Sequence, residues 1–487
     1  MTTKILINAI DPDECRIAKI KDNKLVEFHI ESAAREITHG NIYKGIVSRI
    51  EPGLQAAFID YGAERNGFLQ KNEIHSDYFQ EDVSYNQSIS HMVKRGQELM
   101  VQVTKDPVMK KGAMLTTFIS LAGRFVVLMP GGDSRGVSRK IEDEEERKRH
   151  KDILNSLRIP ENFGVIIRTA GANTTKTAIA QDLSYLLRLW KTIKGDVMKT
   201  SAPALLHKER SLVLRSLRDY FTPDVTEILI DDSAKFKEAK EFIKIISPKH
   251  TKVVKHYSGD KPIFTKHQLE QQIASMYENR VNLKSGGSIV IEQTEAMVSI
   301  DVNSGKATGQ KSIEETAFQT NLEAAEEIAR QLRIRDLGGL IVIDFIDMKD
   351  NKHKTNVEKA LRDHLRIDKA KTKIGKLSRF GLIEMSRQRI RPSIEYGGYI
   401  TCDHCKGKGT RPSVETLGIR FLRKLSLETL KGDLKSVKGI LPTEVAYYVL
   451  NKKRKEIMEL EAQRNLTITL SSDDGMLPED SQIICDK

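Results

Sequence analysis

No stretch of this 487-residue sequence holds the apolar run needed to cross a bilayer, and its N-terminus, "MTTKILINAIDPDECRIAKI", lacks the basic-then-apolar layout of a secretion signal. Membrane-spanning and secreted proteins are therefore the classes the sequence disfavours. Cysteine is scarce: there are four, and Cys15 and Cys485 stand alone, which rules against a disulfide scaffold and suits a reducing cytoplasm. Internal repeats and low-complexity tracts are missing too, so neither a solenoid nor a disordered chain is expected. What is present, 39% hydrophobic and 30% charged residues in 55.1 kDa, fits a soluble globular chain too long for one core.

Charge is biased towards one sign. The 79 Lys and Arg outnumber the 67 Asp and Glu by 12, and the excess is uneven. Residues 351 to 391 carry 13 basic against 4 acidic side chains. The charged positions of 352–366 read as the solvated face of a helix. "SRFGLIEMSRQR" differs, because apolar residues anchor its arginines, and a dense basic tract of this kind suits a polyanion.

Just before that tract lie two apolar runs. In "SGGSIVIEQTEAMVSIDVNSGKATGQ", residues 285–310, two alternating segments around Thr-Glu-Ala predict a β-hairpin. Alternation puts Asp301 and Asn303 on one face of its second strand. Taken alone, Asp-Val-Asn-Ser-Gly is also an ordinary turn sequence. The second run, "DLGGLIVIDFIDMKD", has Asp344 set inside a β-branched stretch, with Val342 and Ile346 on its face and Asp347 on the other. A carboxylate buried there needs a cation, a donor or a metal. Between the runs, 312–336 has strong helix formers and a Ser312/Glu315 start signature. Strand, helix and strand predict a βαβ unit whose parallel strands bring Asp301, Asn303 and Asp344 to one carboxyl edge. Oxygen ligands without clustered His or Cys suit Mg²⁺ or Mn²⁺.

Residues 3–31 predict short strands, and residues 40–120 predict five more in a small barrel. Phe58, Tyr61 and Phe68 lie among Lys44, Arg49, Arg65, Lys105 and Lys111, and aromatics interleaved with cations are what an OB-type barrel uses to stack bases. Phe58 is equally readable as core. "FGVIIRTAG" predicts a strand ending at Arg168-Thr169, followed by a helical stretch through Trp190 to about Tyr220, interrupted near 201–203. "VTEILIDD" predicts a further strand, and the tail from about 412 predicts helices and a strand at "LTITL". In "TCDHCKGKGTRPS" the C-x-x-C of Cys402 and Cys405 is followed by Gly, Lys and Pro rather than the helix a redox motif needs, which favours a zinc knuckle. One chain offers only that pair, with His404 awkwardly placed between.

Long segments of the chain, "NIYKGIVSRIEPGLQAAFIDYGAERNGFL", "LAGRFVVLMP", "IIRTAG", "IDVNSG", "NLEAAEEIARQLRIRDLGGLIVIDFIDM", "SRFGLIEMSRQR" and the C-x-x-C, resemble the ribonuclease E/G family of bacterial endoribonucleases over nearly its whole length. The resemblance implies a multidomain α/β and β architecture. Its parts are a ribonuclease H-like domain split over 1–36 and 215–280 and an OB-fold barrel of the ribosomal-protein-S-one type at 37–120. A 5′-sensor follows at 121–214, then a deoxyribonuclease I-like catalytic domain at 281–399, a zinc link at 400–414 and a small C-terminal domain at 415–487. By motif match the catalytic residues are Asp301, Asn303 and Asp344, with Mg²⁺ on the two aspartates. RNA contacts fall on Phe58, Phe68 and Lys111, the 5′-monophosphate site on Arg139, Arg168 and Thr169, and zinc on Cys402 and Cys405, shared between two chains.

The function so implied is a Mg²⁺-dependent endoribonuclease for single-stranded A/U-rich RNA, stimulated by a 5′-monophosphate. It acts in rRNA and tRNA processing and mRNA decay, as a zinc-linked homodimer assembling into a homotetramer. It works in the bacterial cytoplasm or peripherally at the inner membrane. Two departures stand out: Asp403 replaces the Pro usual after the first Cys, and the sequence stops soon after "SQIICDK", where longer family members continue into an arginine-rich tail. The expectation is a short family form or a catalytic half. Two rival readings remain, a non-catalytic RNA-binding assembly factor with structural aspartates, and a deoxyribonuclease.

Overall fold

A computed structural model describes residues 2–32, 38–81, 83–107, 112–141, 143–172, 174–305, 312–389, 394, 399–430 and 434–486. The chain divides into two units, residues 1–393 and 394–487.

Among the described residues, four sheets organise the first unit. The chain's beginning, Thr3–Asn8, Glu14–Lys21 and Lys24–Ser32, forms an antiparallel meander that Val225–Ile230 and Val254–His256 extend in parallel. Segments some 200 residues apart in sequence thus share one core, with Ile5, Ile7 and Ile17 against Ile228, Ile230, Leu217 and Phe242. Strands Ile42–Glu51, Ala56–Asp60, Gly67–Gln70, Met114–Thr116 and Glu98–Lys105 then form the expected five-stranded barrel, closed by pairing of its first and fourth strands in chain order. Alternation is what closes it: Val47, Ala57, Ile59, Leu69, Val101, Val103 and Leu115 all turn inward.

The stretch expected to be helical through Tyr220 is three elements: helix Lys176–Lys199, strand Ala204–His207 and helix Leu212–Tyr220. The apolar run "ALLH" is too short for a helix and pairs instead with Ile42–Glu51 of the barrel. Helix Lys176–Lys199 covers a four-stranded sheet of Arg135–Val137, Phe163–Ile167, Val126–Pro130 and Leu121–Ala122.

A further six-stranded sheet has the order Arg280–Asn282, Ser288–Gln293, Met297–Asn303, Gly339–Asp344, Leu382–Arg387, Thr372–Ile374. The predicted hairpin and βαβ unit are both present, and Met297–Asn303 and Gly339–Asp344 are the sheet's parallel neighbours. The connecting helix, Ile313–Ile334, starts where Ser312 Oγ accepts from the Glu315 amide at 3.1 Å. Its buried stripe, Ala317, Ala324, Ala325, Ile328, Ala329 and Leu332, is rich in small residues, so the helix packs close against Ile300, Ile341 and Ile343. Each fully buried Ile or Leu there stabilises by about 1.5–3 kcal/mol. Helix Asn351–Leu365 turns Val357, Leu361 and Leu365 inward and leaves Lys352, Lys359 and Arg362 in solvent, as the solvated-face reading expects.

The second unit has a three-stranded sheet, Thr467–Ser472, Ser436–Leu441 and Gln482–Asp486, with helices Val414–Glu428, Thr443–Lys452 and Arg454–Arg464. The long helical pattern read in "TEVAYYVLNKKRKEIMELEAQRN" is broken at Lys453.

Candidate active site and nucleic-acid interface

Parallel pairing sets Asp301 and Asp344 directly opposite each other at the carboxyl ends of adjacent strands. Along Met297–Asn303 the residues Val298, Ile300 and Val302 are buried, which sends Asp301 and Asn303 outward together. Asn303 Nδ2 donates to Asp301 Oδ2 at 2.7 Å and so fixes that carboxylate's orientation. The strand end is crowded: a Cβ on Gly305, whose φ is +55°, would stand 2.6 Å from the Gly286 carbonyl oxygen. Only glycine fits there.

Asp344 requires a correction. It does not lie inside the apolar run, because the strand ends at Asp344 and its side chain is exposed. No buried charge has to be neutralised. Its carboxyl is nevertheless raised above the usual carboxylate range, first by partial desolvation and then by the negative charges of Asp301 and Asp347. Asp347 also departs from expectation. Alternation stops with the strand, and the following turn brings Asp347 back towards the same edge. Buried Asn321 clamps that turn, donating to the Ile346 carbonyl at 2.8 Å and accepting from its amide at 3.0 Å. Glu314 receives the amides of Lys349 and Asp350 at 3.0–3.1 Å, and the first of these is the main reason its carboxyl is lowered.

Two carboxylates side by side with an amide fit a small, hard dication that keeps waters and shares a phosphate. Among the described residues no group of three or more His, Cys, Asp or Glu is arranged to hold a metal alone. Asp347 adds its negative charge at Asp344.

The basic tract splits in two. Lys373, Lys376 and Arg379 are exposed. Arg387 is buried, donating to Asp368 at 2.7 and 3.2 Å, to Asp336 at 2.9 Å and to the Leu337 carbonyl at 2.6 Å. It is a structural ion pair, out of reach of any polyanion.

In the four-stranded sheet, Arg135–Val137 and Phe163–Ile167 run parallel, so Ser138 and Arg139 emerge beside Arg168 and Thr169. Thr169 Oγ1 lies 3.2 Å from Ser138 Oγ, and Arg139 is exposed. Arg168 is half-buried, donating to the Gly123 carbonyl at 2.6 Å and to Asp219 Oδ1 at 2.7 Å. Burial pushes the Asp219 carboxyl up, but the charges of Arg218, Arg168 and Lys369 outweigh it and hold the group well below the carboxylate range. Asp219, which no sequence signal singled out, therefore orients Arg168 through a fixed negative charge.

On the barrel, Phe58 and Phe68 are cross-strand partners with ring centroids 5.7 Å apart, edge to face. Both are half-buried and outside the barrel core, whereas Tyr61 is inside it. The Arg49 guanidinium stands 4.7 Å from the Phe58 centroid. Lys44 is committed to Glu98 at 2.8 Å and to the Thr200 carbonyl at 3.0 Å. Lys111 lies outside the described residues.

In the second unit, Cys402 and Cys405 sit in a turn, with the Lys406 amide donating to the Cys402 carbonyl at 2.7 Å and no helix before Val414. The Cys405 thiol is lowered by the amides of Gly409 and Gly407 and by Cys402. Cys15, by contrast, is pushed up to about 12, by burial first and then by Glu31. A tetrahedral zinc would need two ligands beyond such a pair.

Fold and site together define a class: a mixed α/β protein that joins an S1-type five-stranded barrel to a sheet edge bearing paired carboxylates. The pattern of the Ribonuclease E/G family matches residues 120–390, that of the S1 RNA binding domain residues 36–117, and that of the RNase E/G thioredoxin-like domain residues 401–485. The last was not foreseen beyond a small C-terminal domain. The chain is 46% identical over 476 residues to ribonuclease E of Haemophilus influenzae, covering 97% of this chain and 51% of that protein. It is 45% identical to ribonuclease E of Escherichia coli, over 95% and 44%. With ribonuclease G of Salmonella typhimurium it shares 41% identity, over 87% and 88%. The chain belongs to the ribonuclease E/G family. It spans about half the length of the ribonuclease E relatives it matches.

Proposed function

We propose that this protein is a Mg²⁺-dependent endoribonuclease that cleaves single-stranded, A/U-rich RNA and is stimulated by a 5′-monophosphate. The observation that carries the reading is the register pairing of Asp301 with Asp344, with Asn303 holding Asp301. Mg²⁺ bound at the two carboxylates would supply charge neutralisation at the scissile phosphate and a water acidic enough to attack it. Asp301 and Asp344 hold the ion, Asn303 keeps the Asp301 oxygen aimed, and Asp347 adds negative charge without taking a ligand position. Hydrolysis leaves a 5′-phosphate and a 3′-hydroxyl.

The sheet built on the chain's beginning and on residues 225–256 is the ribonuclease H-like domain. The four-stranded sheet is the 5′-sensor, and the six-stranded sheet with its helices is the deoxyribonuclease I-like catalytic domain. Arg139, Arg168 and Thr169 bind the terminal phosphate, with a guanidinium fork and a hydroxyl as its donors. Phe58, Phe68 and Lys111 contact RNA on the barrel. Cys402 and Cys405 form half of a zinc site completed by a second copy of the chain, giving a homodimer that pairs into a tetramer. The roles are rRNA and tRNA processing and mRNA decay in the bacterial cytoplasm.

Cleavage of matched 5′-monophosphorylated and 5′-triphosphorylated RNA and of DNA, with and without Mg²⁺, tests the reading. Preference for the monophosphorylated RNA, lost on chelation, supports it. RNA binding without cleavage in any condition favours the assembly factor, and equal DNA cleavage the deoxyribonuclease. Zinc analysis with light scattering should give one Zn²⁺ per two chains.

A further inference from the structure

The turn that joins Thr372–Ile374 to Leu382–Arg387 holds an aromatic ring in solvent beside the carboxylate edge. Phe380 is 68% exposed and, among the described residues, more exposed than any other phenylalanine. Its place is not the accident of a slack loop. The Ser378 amide donates to the Leu382 carbonyl at 2.8 Å, and the Gly381 amide to the Ser378 carbonyl at 3.1 Å. Ser378 Oγ accepts from the Phe380 and Leu382 amides at 3.2 and 3.3 Å. Gly381, at φ +79°, closes the turn, and a Cβ there would meet Asp347 Oδ1 at 3.2 Å. Leu382, two residues on, is the register partner of Asp344. Leaving a phenylalanine ring in water forgoes the burial of a large apolar side chain, so a tightly bonded turn that presents one calls for a use.

The surroundings say what kind of molecule would cover it. The Arg379 guanidinium stands over the ring, 4.8 Å from its centroid, and the residue remains 68% exposed. Exposed Lys376 lies in the same connection, two residues before Ser378, while exposed Lys373 sits further along the hairpin, opposite Ser386. An exposed aromatic ring beside cations matches a single nucleobase with its phosphates, because every base has a π-face and every linkage an anionic oxygen. A protein partner would need a wider apolar surface than one ring.

Resting on the nuclease reading above, we infer that Phe380 is a stacking platform for the nucleobase next to the scissile phosphate, with Arg379 bracing the ring from behind. It positions the strand so that the phosphate meets Asp301 and Asp344. This gives the catalytic edge its own hold on single-stranded RNA, separate from Phe58 and Phe68 on the barrel. A paired base, already stacked in a duplex, cannot use the platform, so the platform also favours unpaired sites.

The test combines enzyme and substrate changes. Phe380→Ala, Phe380→Tyr and Phe380→Trp are assayed on an oligoribonucleotide with one cleavage site and on copies carrying a single abasic nucleotide at each flanking position. Phe380→Ala should lose about 10- to 100-fold in kcat/KM, while Tyr and Trp stay within about threefold of wild type. Removing the base at one flanking position should cost wild type a similar factor and cost Phe380→Ala nothing further. Wild-type rates for Phe380→Ala, or losses that multiply at every abasic position, would overturn the inference. Asp344→Asn, assayed in parallel, keeps the two readings apart. If it still cleaves, the assignment of the carboxylates fails, while the abasic pattern still decides the stacking role. If it is inactive and Phe380→Ala behaves as wild type, only the platform is wrong.

Discussion

Strand Leu382–Arg387 has charge at both ends of its partner strand's length, and the two ends treat it in opposite ways. At one end Arg387, only 3% exposed, is matched by Asp336 and Asp368, with a carbonyl taking a further donor hydrogen. At the other, opposite Leu382, Asp344 faces solvent with Asp301 and Asp347 for company, three like charges of which Asp301 takes a hydrogen bond from the Asn303 amide. Charge that serves the fold is paired and dry. Charge gathered with its own sign at a strand's carboxyl edge costs stability until something cationic arrives, which is the mark of a binding edge. One sheet thus holds a structural salt bridge and a candidate catalytic site a strand's length apart.

That contrast is broken most severely from the acidic end. Asp301→Asn and Asp344→Asn should each lower single-turnover cleavage by at least about a thousandfold, since several kcal/mol of transition-state stabilisation depend on the metal they hold. RNA affinity, measured by fluorescence anisotropy, should barely change. Asp347→Asn, which removes charge but no ligand, should cost cleavage far less.

At the buried end the expected damage is to the fold. Asp368→Asn removes the carboxylate that takes two of Arg387's hydrogen bonds and should destabilise by about 3–5 kcal/mol in chemical denaturation, with the residual folded enzyme still cleaving normally. A loss of turnover without loss of stability would erase the distinction between the two ends.

A smaller effect sharpens the comparison through pH. The Asp344 carboxyl is raised in the folded protein, so its contribution to stability is fully present in acid, below the unfolded aspartate value of about 3.9, and is lost as pH rises through the raised value. Asp344→Asn should therefore melt slightly higher than wild type at neutral pH, with the difference vanishing in acid. Mg²⁺ should raise the melting temperature of wild type but not of the variant. The opposite sign at neutral pH would mean that Asp344 is already neutralised within the fold.

The smallest effect concerns substrate choice. Arg168→Ala should equalise cleavage of 5′-monophosphorylated and 5′-triphosphorylated RNA while leaving entry at internal unpaired sites intact. Asp219→Asn, which frees the guanidinium that Asp219 orients, should weaken the same preference partway. Competition between the two RNAs in one tube reads this directly.

Much of the site was legible because it is local. Alternation placed Asp301 with Asn303, and Ser312 with Glu315 announced the helix that makes the two strands parallel. The carboxylates could be brought together from those signals alone. What escaped was set by partners far along the chain. Arg387 looked like one more cation in a basic tract, because Asp368 and Asp336, 19 and 51 residues away, are invisible in its neighbourhood. Asp219 was missed for the same reason, its role depending on Arg168, 51 residues back. Asp347 was misplaced because alternation was carried past the point where the strand ends. Ala204–His207 was read as helix since its barrel partner, Ile42–Glu51, lies so far away in sequence.

The central claim is that Asp301 and Asp344 act as one metal-holding pair in RNA cleavage. Its most direct test is single-turnover cleavage of a 5′-monophosphorylated RNA by wild type and Asp344→Asn across a Mg²⁺ titration, at enzyme concentrations that saturate binding. Cleavage that rises with Mg²⁺ in wild type and stays at background in the variant at every concentration is the expected result. A variant that cleaves at the wild-type rate, or a wild type indifferent to Mg²⁺, would contradict it.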